Sequence, residues 1–240
     1  MSADISGLSV WFATPEYRFW RDRTTIALLP VAAPSILGLF GFAASTFMVA
    51  ASLAGWYGNA EAPLILFPFA LAAGGIAQLL AGMWAYRAQD AVATALHSMW
   101  GLFWIGYGLY TLLIALGVAP ATSSAAAVAF GVWFVVLAAI TWLGAVAAAA
   151  ENIALTAALG TLATGSTLLA IALLRDVPVV QTIGAYVLLV SAALACYLAA
   201  AMMLEATAKR VVLPIGKRRT ARLPGTVQRN VLVPGVTVAG

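Results

Sequence analysis

Apolar positions along this chain do not alternate with polar ones; they run together. From residue 34 onward there are six stretches without Lys or Arg: 34–57, 62–84, 92–116, 125–149, 153–174 and 179–204. At about 1.5 Å per residue, a helix needs roughly 20 apolar residues to cross a hydrocarbon core of about 30 Å, and each stretch is long enough. The stretches are apolar all round and rich in Ala and Gly, as in helices that pack on other helices rather than lie amphipathically on a surface. Alternating segments of about ten residues, the mark of a membrane barrel, are not the pattern. The pattern predicts an all-α membrane protein, a bundle of six transmembrane helices over 34–205. It is flanked by an N-terminal interfacial segment, 1–33, and a basic tail, 206–240.

Composition agrees. Hydrophobic residues make up 64% of the 240 positions and charged residues 8%, with a mean hydropathy of +1.01. Soluble domains carry roughly 25% charged residues. A secreted disulfide scaffold, a disordered chain, a nucleic-acid module and an ordinary cytosolic enzyme are all excluded. The single cysteine, Cys196, lies inside an apolar stretch, so no intrachain disulfide can form.

Charge sets the expected orientation. Six spans put both termini on one side, and eleven of the twelve basic residues fall there: Arg18, Arg21, Arg23, Arg87, Lys209, Arg210, Lys217, Arg218, Arg219, Arg222 and Arg229. Only Arg175 falls opposite. Basic residues accumulate on the cytoplasmic side, so both termini are expected there, and the basic pI of about 9.5 reflects topology rather than nucleic-acid binding. Residues 10–23 interleave Trp11, Phe12, Tyr17, Phe19 and Trp20 with three arginines, a mixture suited to the headgroup level. Pro30 and Pro34 interrupt the apolar lead-in 26–33, which predicts an extended or kinked approach instead of a seventh span. The Lys217–Arg219 cluster suits anionic headgroups.

Inside the stretches, His97 is the one ionisable residue in mid-sequence; Glu61, Asp90, Glu151, Asp176 and Glu205 sit at or near span ends. Intramembrane charge is costly and usually functional. No acidic ladder points to a proton pump and no arginine series to a voltage sensor. One His and one Cys cannot assemble a metal site. His97 and Ser98 are adjacent, hence on different helix faces, and make no catalytic pair. The reading is not an enzyme, with no catalytic residue, cofactor or metal. His97 is expected in an interhelical hydrogen bond. What remains is a path for a small, weakly polar or singly charged solute. An anion there would be held by helix N-terminal N–H groups and hydroxyls, or would cross as the neutral acid.

The first stretch opens Ala33-Pro34-Ser35-Ile36-Leu37-Gly38-Leu39-Phe40-Gly41-Phe42. Proline in a first turn gives up an N–H that would be unpaired anyway, and Ser35, Leu37 and their neighbours are expected to present free N–H groups. Gly38/Gly41, Ala77/Ala81 and Ala195/Ala199 are small-residue pairs suited to close helix packing. Gln78, an amide in an apolar stretch, must find a partner helix or line the path.

The second stretch ends Gly74-Gly75-Ile76-Ala77-Gln78-Leu79-Leu80-Ala81-Gly82, followed by Tyr86-Arg87. The third contains Trp100-Gly101-Leu102-Phe103-Trp104, and the chain leaves the bundle through Leu213-Pro214-Ile215-Gly216. In this order and spacing, from about 33 to 216, the chain resembles the acetate uptake transporter family of bacterial succinate–acetate permeases and fungal acetate/ammonia transporters. Its members share an N-P-A-P-L-G-L opening, G-G-I-A-Q…A-G, Y-G-S-F-W and a closing L-P-x-G. The resemblance implies a plasma- or inner-membrane protomer passing acetate or a similar small monocarboxylate, proton-coupled or channel-like, and assembled as a homo-oligomer, commonly a hexamer. Its partners are then the small carboxylate and the lipid bilayer, with no nucleic acid. It maps the substrate path to Pro34, Ser35, Leu37, Gly38, Leu39 and Gln78, and a mid-path constriction to Phe42, Trp100 and Leu162. Ala33 and Ile36 replace the family's opening Asn and second Pro, Trp100 its Tyr, and Ala85 its Glu before the Tyr-basic pair. An ammonia or other weak-acid or weak-base permease, or a non-transporting membrane paralogue, stands as the alternative.

Overall fold

A computed structural model describes residues 32–59, 61–120 and 123–218. The N-terminal segment read as interfacial and the tail beyond 218 lie outside the described residues. Six helices among the described residues are long and apolar enough to cross a membrane: α1 (Ser35–Leu53), α2 (Ala62–Arg87), α3 (Ala91–Ala115), α4 (Ser124–Ala148), α5 (Ile153–Arg175) and α6 (Pro178–Ala208). Each stretch read from the sequence corresponds to one of them.

Local chemistry sets the ends. Asp90, Ser123 and Asn152 cap α3, α4 and α5, each side chain accepting from the N–H three residues on, at 2.9, 3.3 and 2.8 Å. Prolines occupy the first turns of α2 and α6. Asp176 and Lys209 close α5 and α6 in the left-handed conformation. The first helix stops at Leu53, four residues short of the apolar stretch, because Gly55 turns the chain at φ +77°. At 31 residues α6 spans about 46 Å at about 1.5 Å per residue, more than the hydrocarbon needs, so its end emerges carrying Glu205.

The second helix is not uniform. Pro68 lies inside it, and the backbone is π-helical over Ala70–Ala77, the segment holding Gly74 and Gly75. Proline removes one ladder hydrogen bond, and a π segment absorbs the mismatch by widening the turn.

Each helix packs on the next in sequence, and α6 returns to α1, so the six form a closed ring. Small residues set the spacing. A methyl at Gly41 on α1 would overlap the Ala73 carbonyl oxygen of α2. One at Gly165 on α5 would lie 2.6 Å from Leu188 on α6. Ala81, Ala195 and Ala199 are fully buried. The Ser191 hydroxyl donates across the α5–α6 contact to the Ala158 carbonyl at 2.9 Å. Large apolar side chains such as Ile65, Leu143, Val146 and Val179 face outward, the arrangement a lipid solvent allows.

The closing Leu213-Pro214-Ile215-Gly216 motif is a strap across the start of α5. Its Gly216 and Ile215 carbonyls accept from the N–H groups of Ile153 and Ala154 at 3.1 Å each, satisfying first-turn donors that a helix leaves unpaired. The Tyr197 hydroxyl donates to the Pro214 carbonyl at 2.6 Å, and Lys217 pairs with Glu205 at 2.6 Å. Gly216 holds φ +67° against Ile153, which explains a glycine at that position.

Candidate functional site

Two cavities enter the ring from opposite ends. The proximal one, of about 390 Å³, opens where α1, α3 and α5 begin and where the strap crosses. The distal one, of about 200 Å³, lies where α1 and α5 end and α4 and α6 begin. Both far exceed the roughly 10–15 Å³ that admits one water. Trp100 lines both and is the wall they share.

Phe42, Trp100 and Leu162 are all buried, at 4%, 3% and 2% exposure, and all three line the proximal cavity. Phe42 of α1 meets Trp100 of α3 edge-on, ring centres 6.0 Å apart. The Trp100 indole N–H donates to the Thr141 hydroxyl of α4 at 3.1 Å, and that hydroxyl donates to the Leu137 carbonyl at 2.6 Å. The indole is therefore pinned from two sides, by a ring on α1 and a hydroxyl on α4. On the distal side Phe103, Trp104 and Tyr107 continue the aromatic face of α3. The sequence carries that signal, since 100, 103, 104 and 107 share one helix face. Nothing in it announced Thr141 as the tryptophan's partner.

The expected path residues divide. Ser35, Leu39 and Gln78 line the proximal cavity. Leu37 points away from the bundle at 40% exposure, and Pro34 is half-buried at the start of α1. Gly38 lies beneath His97: a methyl there would sit 2.5–2.6 Å from the imidazole ring atoms. The tip of α1 is also more closed than expected. The N–H groups of Ile36 and Leu37 donate to the Ala33 and Pro34 carbonyls at 3.2 and 3.1 Å, so they do not stand free for an anion.

Several side chains inside are polar and without partners among the described residues. The Gln78 Oε1, Ser45 Oγ, Thr46 Oγ1 and Trp104 Nε1 atoms are buried and make no hydrogen bond. Among the described residues His97 makes no side-chain hydrogen bond to another helix, and it lines the proximal cavity. Ser98 next to it turns instead to Gly82 of α2. An unpaired buried polar atom costs about 1–3 kcal/mol, and lipid offers no compensation. Gln78 lines the proximal cavity, and Thr46 and Trp104 the distal one, so a solute or water in either finds polar atoms to engage.

Among the described residues that line the two cavities, the charged ones are Asp90, Glu151, Glu205 and Lys217, all at the proximal opening. Lys217 is already paired with Glu205. Burial, then the neighbouring Asp90, push the Glu151 carboxyl above its ordinary range. Among the described residues no group of three or more His, Cys, Asp or Glu side chains could hold a metal ion.

This architecture is shared with known proteins. The solved bacterial acetate channel SatP superposes with a TM-score of 0.71 at 26% sequence identity, covering 78% of this chain and 100% of that one. No curated protein matches the chain. Residues 23–217 match the GPR1/FUN34/yaaH family over most of the sequence. With six ringed apolar helices and the four motifs in register inside that match, the chain belongs to the GPR1/FUN34/yaaH family.

Proposed function

We propose that the protein is a membrane channel or transporter that passes acetate, or a similarly small monocarboxylate, through the centre of its own helix ring. The observation that carries this is that Trp100 is the shared wall of two opposed cavities, with polar atoms unpaired among the described residues on either side of it. Membership of the family and likeness to the acetate channel SatP supply the solute class.

In this reading the solute in the proximal cavity lies beside Ser35 and Leu39 and engages Gln78, and it is without water at the neck of Phe42, Trp100 and Leu162, whichever side it comes from. The neck offers almost no polar surface, so an ionised carboxylate would cross it at a high desolvation cost. The neutral acid crosses more cheaply. The acidic rim favours the same form, because three carboxylates face one already paired ammonium. Proton-linked passage follows from that preference. The basic-residue bias supports a cytoplasmic side for the ends at which α1, α3 and α5 begin, and with them the proximal opening. Homo-oligomeric assembly, as a hexamer, is carried by the resemblance.

The test is uptake of labelled acetate into vesicles containing the purified protein, measured above protein-free vesicles. Saturable uptake that changes in Phe42→Ala or Trp100→Ala supports the reading. Uptake equal to empty vesicles across a range of pH sinks it.

A further inference from the structure

His97 is the only histidine in the chain. It is 94% buried by difference from its 6% exposure, yet it makes no side-chain hydrogen bond among the described residues. It lines the proximal cavity together with Gln78, whose Oε1 is likewise unpaired and whose exposure is 2%. It precedes Trp100 by three residues on α3, so the imidazole sits one turn from the neck on the same helix face. Its position is fixed from the other side by Gly38, where any side chain would intrude on the ring. The rest of the deep wall is apolar, from Leu39, Leu96, Leu159 and Leu162.

We propose that His97 and Gln78 form the station that holds the carboxyl group of the neutral acid just before the neck. A ring N–H of His97 donates to the acid's carbonyl oxygen, and Gln78 Oε1 accepts its O–H. A neutral imidazole offers one donor and one acceptor, and an amide oxygen accepts only. A neutral carboxylic acid, with one donor and one acceptor of its own, satisfies both groups at once. An ionised carboxylate has no proton to give, and its charge would lie against the Gln78 oxygen. The charged groups of this cavity, Asp90, Glu151, Glu205 and Lys217, belong to its rim. His97 is thus a specificity-determining residue. The inference rests on the reading that a short monocarboxylate is the solute.

A lone histidine permits a direct test. Full-length protein carrying ring-labelled histidine and a non-histidine tag, reconstituted in lipid nanodiscs, gives one imidazole NMR signal. Titration with acetate at pH 5 is expected to shift that signal saturably. At pH 7.5 the apparent Kd in total acetate should weaken by at least about tenfold, because carboxyl groups with pKa values of about 4–5 are then almost wholly ionised. Gln78→Leu should weaken it about tenfold at pH 5, as loss of one buried hydrogen bond predicts. In vesicles, His97→Phe should raise KM with Vmax little changed, and His97→Asn, which keeps a donor, should recover most of the loss. A signal unmoved by acetate in protein that transports it overturns the station and leaves the proposed function standing. An unmoved signal in protein that shows no flux overturns both. Equal affinity at the two pH values overturns the choice of the neutral acid.

Discussion

Replacing Gly41 by alanine tests whether the ring is held at its observed spacing by the close approach of α1 to the π segment of α2. The added methyl would overlap the Ala73 carbonyl oxygen, a backbone atom within Ala70–Ala77 that has no rotamer to escape into. Overpacking of this kind costs about 1–3 kcal/mol, and a rigid partner points to the upper end. Alanine recovers up to about 1 kcal/mol over glycine in a helix interior. The net loss is about 2 kcal/mol, or about 4–8 °C in Tm for a chain of this size. Gly160, in mid-α5, is the control: a methyl there meets nothing within 4 Å, so Gly160→Ala should leave Tm unchanged or slightly raised. Thermal unfolding of the detergent-solubilised protein, followed by circular dichroism, reads both. Gly41→Ala should also depress acetate flux, since Phe42 is its neighbour. If Gly41→Ala melts with Gly160→Ala, the tight α1–α2 contact is not what spaces the helices.

Thr141→Val removes the acceptor of the Trp100 indole N–H, held at 3.1 Å. The orphaned donor should cost about 1–3 kcal/mol of stability and alter flux, while Thr141→Ser stays near wild type in both. Glu151 supplies a pH-dependent test. Burial, then the neighbouring Asp90, raise its carboxyl above the ordinary carboxylate range, so the fold disfavours its ionised form. Stability from this group is fully present below about pH 4.5 and is lost as pH rises through its folded value. Glu151→Gln should therefore melt higher than wild type at pH 7.5 and equal to it at pH 4; a gain confined to low pH would contradict the assignment.

The six spans were legible because lipid leaves the chain little choice: without water, every backbone group must be paired within a helix. Their ends were less so. The sixth helix runs on through Glu205 to Ala208, because exposed charge does not stop a helix once it leaves the hydrocarbon; the left-handed Lys209 does. Pro68 and Gly74-Gly75 were visible, but not that they would resolve into a π segment, since proline can also kink a helix. At the site, Phe42, Trp100 and Leu162 were named from motif register, and they line one cavity because each lies on the inner face of its own helix. Leu37 and Gly38 share that motif yet play other parts, one facing out and one making room for His97. A motif marks adjacent residues, whereas a helix sends neighbours about 100° apart. The rim charges come from four separate segments, Asp90, Glu151, Glu205 and Lys217, which only the fold and its strap bring together.

The central claim is a solute path pinched at the ring's midpoint, and shortening Leu162 probes it most directly. Leu162→Ala opens the neck without touching the rim or the Trp100 hydrogen bond. The measurement is the ratio of butyrate to acetate flux into vesicles, above protein-free vesicles, for wild type and variant of equal thermal stability. A severalfold rise in that ratio, with acetate flux maintained or increased, is the predicted result. An unchanged ratio in a folded, transporting variant would mean that the solute does not pass Leu162.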